Sequence, residues 1–225
     1  MAISRITEIF SGMGFTLAEG PIIESEWYNF DALNVPKNHP ARDAQDTFFV
    51  KDREETVLRT HTSPVQIRYM ETHTPPIRII VPGRVYRNEA TDATHEAQFF
   101  QVEGLVIDKK GAVTLAHLKG TLEQFFSEFY GASVPVRFRP GYFPFVEPGV
   151  EVDMYLKKKD GTERWLEVMG AGMVHPTVLK NAGLDPELYQ GFAFGAGIER
   201  LVAVKYGIED VRLFHYGDLR LVTQF

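Results

Sequence analysis

Apolar residues recur at steps of three and four positions in two stretches of the chain, a spacing that places them on one face of a helix. The first stripe ends at Gly14 and comprises Ile3, Ile6, Ile9, Phe10 and Met13. The second lies between Thr114, a suitable N-cap, and Gly131, and comprises Leu115, Leu118, Leu122, Phe125, Phe126 and Phe129. Each stripe predicts an amphipathic helix whose apolar face packs on the core.

Two more helices are predicted from residues that favour helix ends. Ser63 and Pro64 form an N-cap followed by proline at the first helical position, which predicts a helix over residues 63–72. A further helix is predicted from Ile198 to Tyr206, where Gly207 ends it.

Short runs rich in β-branched and aromatic residues lie between these helices and predict eight strands. They are Thr47–Val50, Val57–Thr60, Ile77–Val81, Phe99–Ile107, Val136–Arg139, Glu151–Leu156, Trp165–Met169 and Phe192–Gly195. Helices do not alternate regularly with them, as a doubly wound parallel sheet requires. We therefore expect an α+β fold, in which helices flank a mainly antiparallel sheet. No repeat or linker divides the chain, which predicts one domain over residues 1–225.

The composition narrows the function classes. A chain of 225 residues with 44% hydrophobic and 24% charged residues can bury a globular core. Its formal charge of −6 argues against broad electrostatic binding of nucleic acid, and the lack of cysteine excludes disulfides, thiolate nucleophiles and cysteine zinc sites. No apolar run approaches the ~18 residues of a membrane helix, and no signal-peptide pattern opens the chain. We expect a cytoplasmic protein without a membrane association.

The common nucleotide-binding and hydrolase motifs are missing. Gly195-Ala196-Gly197 lacks the third glycine of a dinucleotide fingerprint, and close packing of a strand on the following helix explains it equally well. Two arginines are better candidates, because Arg87 ends an apolar strand and Arg200 begins an apolar helix. Guanidinium groups at such places bind either acids of the protein or phosphates of a ligand.

One predicted strand has a polar face. Strict alternation puts Phe99, Gln101, Glu103 and Leu105 on one side and Phe100, Val102 and Gly104 on the other. This face is either a solvated sheet surface or the floor of a site for a charged ligand, where the Phe99 ring could stack on a base.

A proline-rich stretch and a helix start offer two further candidates. Residues 139–148 hold three prolines together with Phe143 and Phe145, which suits either a preformed apolar pocket or a rigid loop that plugs the core. Ser63 either only caps its helix or, with His61 and Gln66, binds an anionic or carboxylate group at the helix N-terminus.

Three ordered motifs resemble those of class II aminoacyl-tRNA synthetases: the N-terminal helix with a strand at Pro21, Tyr86-Arg87-Asn88-Glu89, and Gly195-Ala196-Gly197-Ile198-Glu199-Arg200. Longer phrases resemble the bacterial phenylalanyl-tRNA synthetase α subunits, from about residue 6 to Phe225. The phrases are residues 28–34, 39–43, 59–66, 92–95, 170–176 and 191–195. The resemblance implies an antiparallel class II fold and the reaction of phenylalanine with ATP to give phenylalanyl-adenylate and pyrophosphate, as the module that charges tRNA(Phe).

The resemblance also implies roles for single residues. Arg87 and Arg200 are the catalytic residues and bind ATP phosphates and adenine, and no protein base is needed because the substrate carboxylate is the nucleophile. The other ATP-binding residues are Glu89, His95, Phe99 and Glu167. The phenylalanine-binding residues are His61, Ser63, Gln66, Gln101, Glu103, Phe143, Phe145, Ala193 and Gly195. The cofactor is Mg²⁺, with Glu147 and Glu167 as metal ligands.

Partners follow from the same resemblance. We expect the family's N-terminal helical tRNA-binding arm to be absent, and contact with tRNA(Phe) at its 3′ end to be weakened as a result. We expect assembly with a synthetase β subunit, self-association through the first motif, or both. Two alternatives stay open: a truncated paralogue that adenylates an amino acid for an acceptor other than tRNA, and a non-catalytic class II-like binding or assembly protein.

Overall fold

A computed structural model describes residues 1–43, 46–131, 133–157 and 163–224. Its centre is a seven-stranded sheet in the order β1-β4-β5-β9-β8-β7-β6. The strands are β1 (Thr16–Leu17), β4 (Ile77–Tyr86), β5 (Gln98–Lys109), β6 (Val136–Phe143), β7 (Val146–Lys157), β8 (Glu163–Val174) and β9 (Tyr189–Gly197), and a separate pair consists of β2 (Ile23–Ser25) and β3 (Thr56–Leu58). Only β1 and β4 pair in parallel among the described strands, so the expected antiparallel sheet is confirmed.

Helices flank this sheet, as the α+β prediction requires. They are α1 (Ala2–Gly12), α2 (Ser63–Thr72), α3 (Leu115–Tyr130), α4 (Pro176–Asn181), α5 (Ile198–Tyr206) and α6 (Leu219–Val222). A π-helix over Trp27–Asp31 and 3₁₀ helices over Pro40–Arg42 and Val211–Phe214 complete the described elements.

The two faces of the sheet bury different clusters. On one face, α1 and α3 contribute a column of aromatic rings in which Phe10 stacks on Phe125 at 4.7 Å and on Phe194 at 5.3 Å. On the other face, a second core beneath α2 and α4 includes Phe30, Ile67, Leu105 and Val178. The polar residues of β5 and the glycines of β8 and β9 border this second core.

Cross-strand pairing lines up one row of residues across five neighbouring strands. Glu103 pairs with Gly195, Gly195 with Gly170, Gly170 with Glu151, and Glu151 with Arg139 on β6. Neighbouring strands lie about 4.8 Å apart, so two glycines separate the two carboxylates of this row. The row makes a low, flat floor on which a ligand can approach the backbone.

The four helices predicted from periodicity and end signals are confirmed. Two lie at their predicted residues, α2 over 63–72 and α5 over 198–206, and the helix predicted from Leu115 to Phe129 extends one residue further. Gly131 and Gly207 follow their helices with left-handed φ values of 74° and 71°, which glycine adopts without steric cost. Short α4, which begins at Pro176, was not predicted.

The strand predictions need three corrections. Thr47–Val50 is not a strand, because only Phe49 forms an isolated bridge, to Val57. Val57–Thr60 ends at Leu58. The strands predicted over Val136–Arg139 and Glu151–Leu156 are longer and form the hairpin of β6 and β7. It includes residues 139–148, since β6 is an edge strand that tolerates Pro140 and the register shift between Val146 and Gly149 accommodates Pro148.

Candidate active site

A single cavity of about 640 Å³ opens over the glycine floor. It is lined by fourteen of the sixteen residues that the sequence singled out: His61, Ser63, Gln66, Arg87, Glu89, Phe99, Gln101, Glu103, Phe143, Phe145, Glu167, Ala193, Gly195 and Arg200. They come from β5, β6, β8, β9, α2 and α5 and from the segments beside them. The fold thus gathers residues that are more than 100 positions apart in the chain.

Glu103 is the most enclosed acid of the cavity. Its carboxylate accepts hydrogen bonds from the Thr62 backbone N–H at 3.1 Å, from the Ser63 hydroxyl at 2.6 Å and from the Gln66 amide at 2.8 Å. Burial raises the pKa of Glu103 to about 7, although these hydrogen bonds and the nearby Arg87 oppose the shift. A carboxylate held in this way fits a cationic ligand group such as an ammonium.

The Ser63 hydroxyl corrects the capping prediction. The N-cap of α2 is Thr62, and its side chain makes no capping hydrogen bond. Ser63 lies inside the first turn and donates to Glu103 instead. The serine next to a proline therefore serves the cavity and does not cap the helix.

His61 lies between the charged and aromatic parts of the cavity. Burial, together with the positive charges of Arg87 and Arg59, lowers the pKa of His61 to about 3, so its ring is neutral at pH 7. Its Nδ1 atom is buried and has no hydrogen-bond partner among the described residues. The ring centroid is 6.3 Å from that of Phe145. A neutral ring with an unused nitrogen suits a polar ligand atom.

A buried polar network fixes the backbone beneath these residues. Asn29 donates to the Thr60 hydroxyl and accepts from the Thr60 N–H, at 3.1 and 3.2 Å. The Arg59 guanidinium is almost fully buried and donates to the carbonyls of Gly20, Pro21 and Arg84. This network holds the segment before α2, which supplies the Thr62 N–H to Glu103 and leads directly into Ser63.

The other half of the cavity carries the two arginines. Arg87 donates through Nε to the Thr60 carbonyl at 3.2 Å, and its guanidinium carbon lies 5.1 Å from the centroid of the Phe99 ring. Burial lowers the pKa of Arg87, while Glu89 and Glu103 oppose that shift. Arg200 is exposed in the first turn of α5. Two guanidinium groups beside a flat ring suit a ligand with phosphates and an aromatic base.

Glu199 links α5 to β5 beside two residues that line the cavity. Both of its carboxylate oxygens accept from the Phe100 backbone N–H, at 2.9 and 3.0 Å. Burial raises the pKa of Glu199. Because Phe100 follows Phe99 directly and Glu199 precedes Arg200, this contact fixes α5 against β5 next to two lining residues.

Aromatic and aliphatic side chains close the cavity on its apolar side. Phe143 and Phe145, whose ring centroids are 6.0 Å apart, form one wall from the β6–β7 hairpin. Phe30, Leu33 and Val35 form a second part of the apolar lining. Ala193, a small residue, also lines the cavity, and an apolar lining of this kind suits an aromatic side chain.

Gly195 lies directly beneath the charged group of the cavity. A Cβ atom at Gly195 would come within 2.9 Å of Glu103 Cγ and 3.3 Å of Gln101 Nε2. A Cβ at Gly170 would come within 2.9 Å of the Phe143 ring. Glycine at both positions leaves room for the acid and for the ring.

The acids predicted to bind metal lie apart from each other. Glu167 lines the cavity and is 3.6 Å from Arg139, whereas Glu147 is exposed, with its carboxylate 3.3 Å from His175 Nε2. Within the described part of the chain, no cluster of three histidines, cysteines or acids could hold a metal ion by itself. Glu167 alone still fits Mg²⁺, which uses one or two carboxylates and takes its other ligands from phosphates and water.

Glu147 and His95 are the two predicted residues that do not line the cavity. His95 is exposed on the turn after β4, where its Nδ1 lies 3.0 Å from the Asp92 carboxylate. Five hydrogen-bonding contacts to Asp92 from Thr94 and His95 hold this turn and depress the pKa of Asp92. The assigned roles of both residues remain predictions.

Sequence reasoning missed the residues that support the site from behind. These are Asn29, Asn34, Arg59, Thr60 and Glu199. All five lie within the phrases and motifs that carried the family resemblance, so a signal was present. Their partners are far away along the chain, and no local pattern identifies such contacts.

The whole chain is similar to known synthetase sequences. Residues 1–225 match the family model described as "tRNA synthetases class II core domain (F)". The phenylalanine–tRNA ligase alpha subunit of Dehalococcoides mccartyi is 54% identical over 99% of this chain and 67% of its own length. That of Synechocystis sp. is 55% identical over 99% of this chain and 65% of its own length. The chain thus spans about two thirds of the length of these curated relatives.

A solved structure shows the same fold at much lower identity. The crystal structure of pyrrolysyl-tRNA synthetase from Desulfitobacterium hafniense aligns with a TM-score of 0.71 and 18% identity, covering 94% of this chain and 70% of that one. This similarity confirms the expected class II architecture. In the described residues, no helix has the length and apolar character needed to cross a membrane.

Proposed function

The chain belongs to the class II tRNA synthetase core-domain family, among the phenylalanine–tRNA ligase alpha subunits, and we propose that it activates phenylalanine with ATP. The observation that carries this proposal is the cavity over the glycine floor, which is lined by a buried carboxylate, two arginines and a set of apolar side chains. The carboxylate fits the amino group, the pocket fits the phenyl ring, and the arginines fit the phosphates.

Binding at the amino-acid end is a matter of charge and shape. The ionised Glu103 would hold the α-ammonium, and neighbouring Ser63 and Gln66 keep the carboxylate oriented. Phe143 and Phe145 would pack against the substrate ring in offset or edge-on contact. This arrangement points the substrate carboxylate toward Arg87.

The chemical step is then a displacement at the α-phosphorus. An oxygen of the substrate carboxylate forms a bond to this phosphorus, the bond to the bridging oxygen breaks, and pyrophosphate leaves with that electron pair. Arg87 would stabilise the charge that develops on the α-phosphate, and Arg200 would bind the phosphates that depart. The carboxylate is ionised at neutral pH, so no protein base takes part.

Mg²⁺ would enter with the nucleotide. Glu167, which lines the cavity and is only loosely paired with Arg139 at 3.6 Å, would be the residue that holds the ion. When bound, the ion would neutralise phosphate charge. Glu147, on the exposed hairpin, would be a ligand only for an ion shared with a partner.

The proposal also includes an acceptor for the acyl group and a partner subunit. The 3′ end of tRNA(Phe) is the acceptor proposed for the acyl group, and a β subunit or a second copy is the proposed partner. Exposed apolar side chains along β2 and its neighbours support an interface near the first motif: Ile22, Ile23, Trp27 and Phe49.

Phenylalanine-dependent exchange of pyrophosphate into ATP tests the activity. We expect exchange with phenylalanine and little with tyrosine or leucine. Arg87→Gln should lower the exchange rate about 10²- to 10³-fold, as the loss of one transition-state donor does elsewhere. Arg78→Gln is the matched control, because Arg78 lies on β4, which Arg87 directly follows, and is exposed; its rate should stay within about twofold.

Three other outcomes have distinct meanings. If a β subunit restores exchange that the chain lacks alone, the site is complete only in the assembly. If exchange occurs but tRNA is not charged, the alternative with another acyl acceptor is favoured. If phenylalanine and ATP bind without exchange in either setting, the protein is a binding protein and the proposed activity is wrong.

A further inference from the structure

The apolar pocket is made of two walls that come from distant parts of the chain. One wall is the segment from Phe30 to Val35, where Phe30, Leu33 and Val35 line the cavity. The other wall is the turn between β6 and β7, which contributes residues 143–146. The width of the pocket depends on how these two segments are held relative to each other.

Asn34 ties the two walls together. It lies between Leu33 and Val35, and its side-chain Nδ2 donates to the Pro144 carbonyl at 2.8 Å, across 110 residues of sequence. Proline has no backbone N–H, so the turn at Pro144 can be held through its carbonyl but not through its nitrogen. The next carbonyl of the turn, that of Phe145, accepts from the His175 N–H at 2.9 Å.

The backbone at Asn34 is unusual. Its φ is +60°, a left-handed conformation that asparagine tolerates better than most residues other than glycine. Asp52 and Glu55 are the other two non-glycine residues described with positive φ, and both belong to the exposed turn before β3. Only at Asn34 does this conformation coincide with a contact to the wall of the cavity.

The segment that carries Asn34 is itself anchored. Asn181 of α4 donates to the carbonyls of Asp31 and Ala32, at 3.3 and 3.2 Å. Arg42 donates to the Asp31 carboxylate at 2.7 Å and also to the Val35 carbonyl. Because the segment around Asn34 is fixed by these contacts, the hydrogen bond from the Asn34 amide also fixes the Pro144 turn relative to Leu33 and Val35.

We propose that Asn34 is a positioning residue that sets the width of the side-chain pocket and thereby its discrimination among aromatic amino acids. This inference rests on the proposed function of the same cavity. Asn34 touches no reacting group; it acts through Phe143 and Phe145, which lie on either side of Pro144. Without its hydrogen bond the turn can move outward, the ring is held less tightly, and larger rings are rejected less strongly.

Asn34→Gly is the decisive variant. Glycine adopts the left-handed conformation more readily than asparagine, so the substitution removes the amide without adding backbone strain. Asn34→Asp is a second, isosteric variant whose carboxylate repels the Pro144 carbonyl in place of donating to it. Asp52→Gly is the matched control, because it makes the same kind of change at a left-handed position far from the cavity.

Two measurements together test the proposal. Isothermal titration calorimetry with phenylalanine, tyrosine and 4-chlorophenylalanine measures binding, and pyrophosphate exchange measures kcat and the KM values. For Asn34→Gly we expect phenylalanine to bind about three- to tenfold more weakly, the effect of one neutral hydrogen bond. The preference for phenylalanine over 4-chlorophenylalanine should fall, while kcat and the KM for ATP stay within about twofold. Asn34→Asp should show the larger loss, and Asp52→Gly none.

The outcomes separate this inference from the proposed activity. Unchanged phenylalanine affinity and selectivity in both Asn34 variants would overturn it, as would an equal loss for phenylalanine and ATP, which indicates a general structural defect. If the wild-type protein showed no exchange, weaker calorimetric binding of phenylalanine by Asn34→Gly would still support the positioning role of Asn34. Only the proposed activation of phenylalanine would then be wrong. If the wild type bound no phenylalanine at all, both would be wrong.

Discussion

The two faces of the sheet divide stability and function between them, and β9 shows the division within one strand. Its residues on one side, Phe192, Phe194 and Ala196, pack in the aromatic core with α1 and α3. On the other side, Ala193 and Gly195 form the floor of the cavity. Large side chains fill one face, and the small ones leave the other open for a ligand.

The comparison of the two faces shows that polar side chains are buried on the cavity face, where they hydrogen-bond to one another. The aromatic face packs α1 and α3 against the sheet through buried hydrophobic side chains, whereas the cavity face also buries Glu103, Ser63 and Gln66, with the Ser63 hydroxyl and the Gln66 amide donating to Glu103. Burying a carboxylate costs free energy that packing elsewhere must offset. Changes on the first face should therefore alter the free energy of unfolding, and changes on the second should alter binding.

Phe125→Ala is the strongest test of the aromatic face. Phe125 is fully buried on α3 and stacks on Phe10 and Phe129. Its removal leaves a cavity and should lower the free energy of unfolding by about 3–5 kcal/mol, as measured by urea denaturation. The KM for phenylalanine of the folded fraction should not change; a matching rise in KM would show that the two faces are coupled.

Gly195→Ala probes the cavity face with a single methyl group. Its Cβ would press on Glu103 Cγ at 2.9 Å, so we expect the KM for phenylalanine to rise about tenfold, an overpacking cost of about 1–3 kcal/mol. Gly197→Ala is the control, since a Cβ there meets nothing closer than Arg200 Cβ at 3.9 Å. Equal effects of the two substitutions on this KM would contradict the predicted role of Gly195.

The pH dependence sharpens the comparison, because binding and stability should respond in opposite directions. Amino-acid binding needs the Glu103 carboxylate, whose pKa is raised to about 7, so the KM for phenylalanine should rise about tenfold per pH unit below that value. Folding instead favours the protonated acid, since the folded pKa exceeds its ordinary value of 4.5. The Glu103 contribution to stability is full below pH 4.5 and is lost as the pH rises through 7.

Initial rates and urea denaturation between pH 5.5 and 8.5 measure both responses. In Glu103→Gln the titration disappears from KM and from stability alike. A wild-type KM that stays flat over this range would show that Glu103 does not bind the ammonium in its ionised form.

The spacing of apolar residues predicted the helices because a helix such as α3 buries one stripe of side chains, and Gly131 and Gly207 mark the ends of α3 and α5. The same spacing did not predict the full length of β6 and β7. Pro140 is tolerated only because β6 is an edge strand, which the sequence around it does not show. The polar face of β5 was visible as alternation, and the family resemblance then implied roles for its residues.

The supporting contacts could not be predicted in this way. Whether Ser63 caps a helix or donates to Glu103 depends on a strand forty residues away. The tie between Asn34 and Pro144 spans 110 residues. Such contacts are decided by tertiary packing, and local propensity carries no information about them.

The row that runs from Glu103 through Gly195 and Gly170 to Glu151 exists only while the strands keep their register. Side chains alternate between the faces of a strand, so one residue inserted into or deleted from β8 or β9 would turn every following side chain to the opposite face. The site can therefore absorb many substitutions but no change of strand length. Insertions and deletions should be confined to the connections between the strands, and alignments of related chains should be gapless along this row.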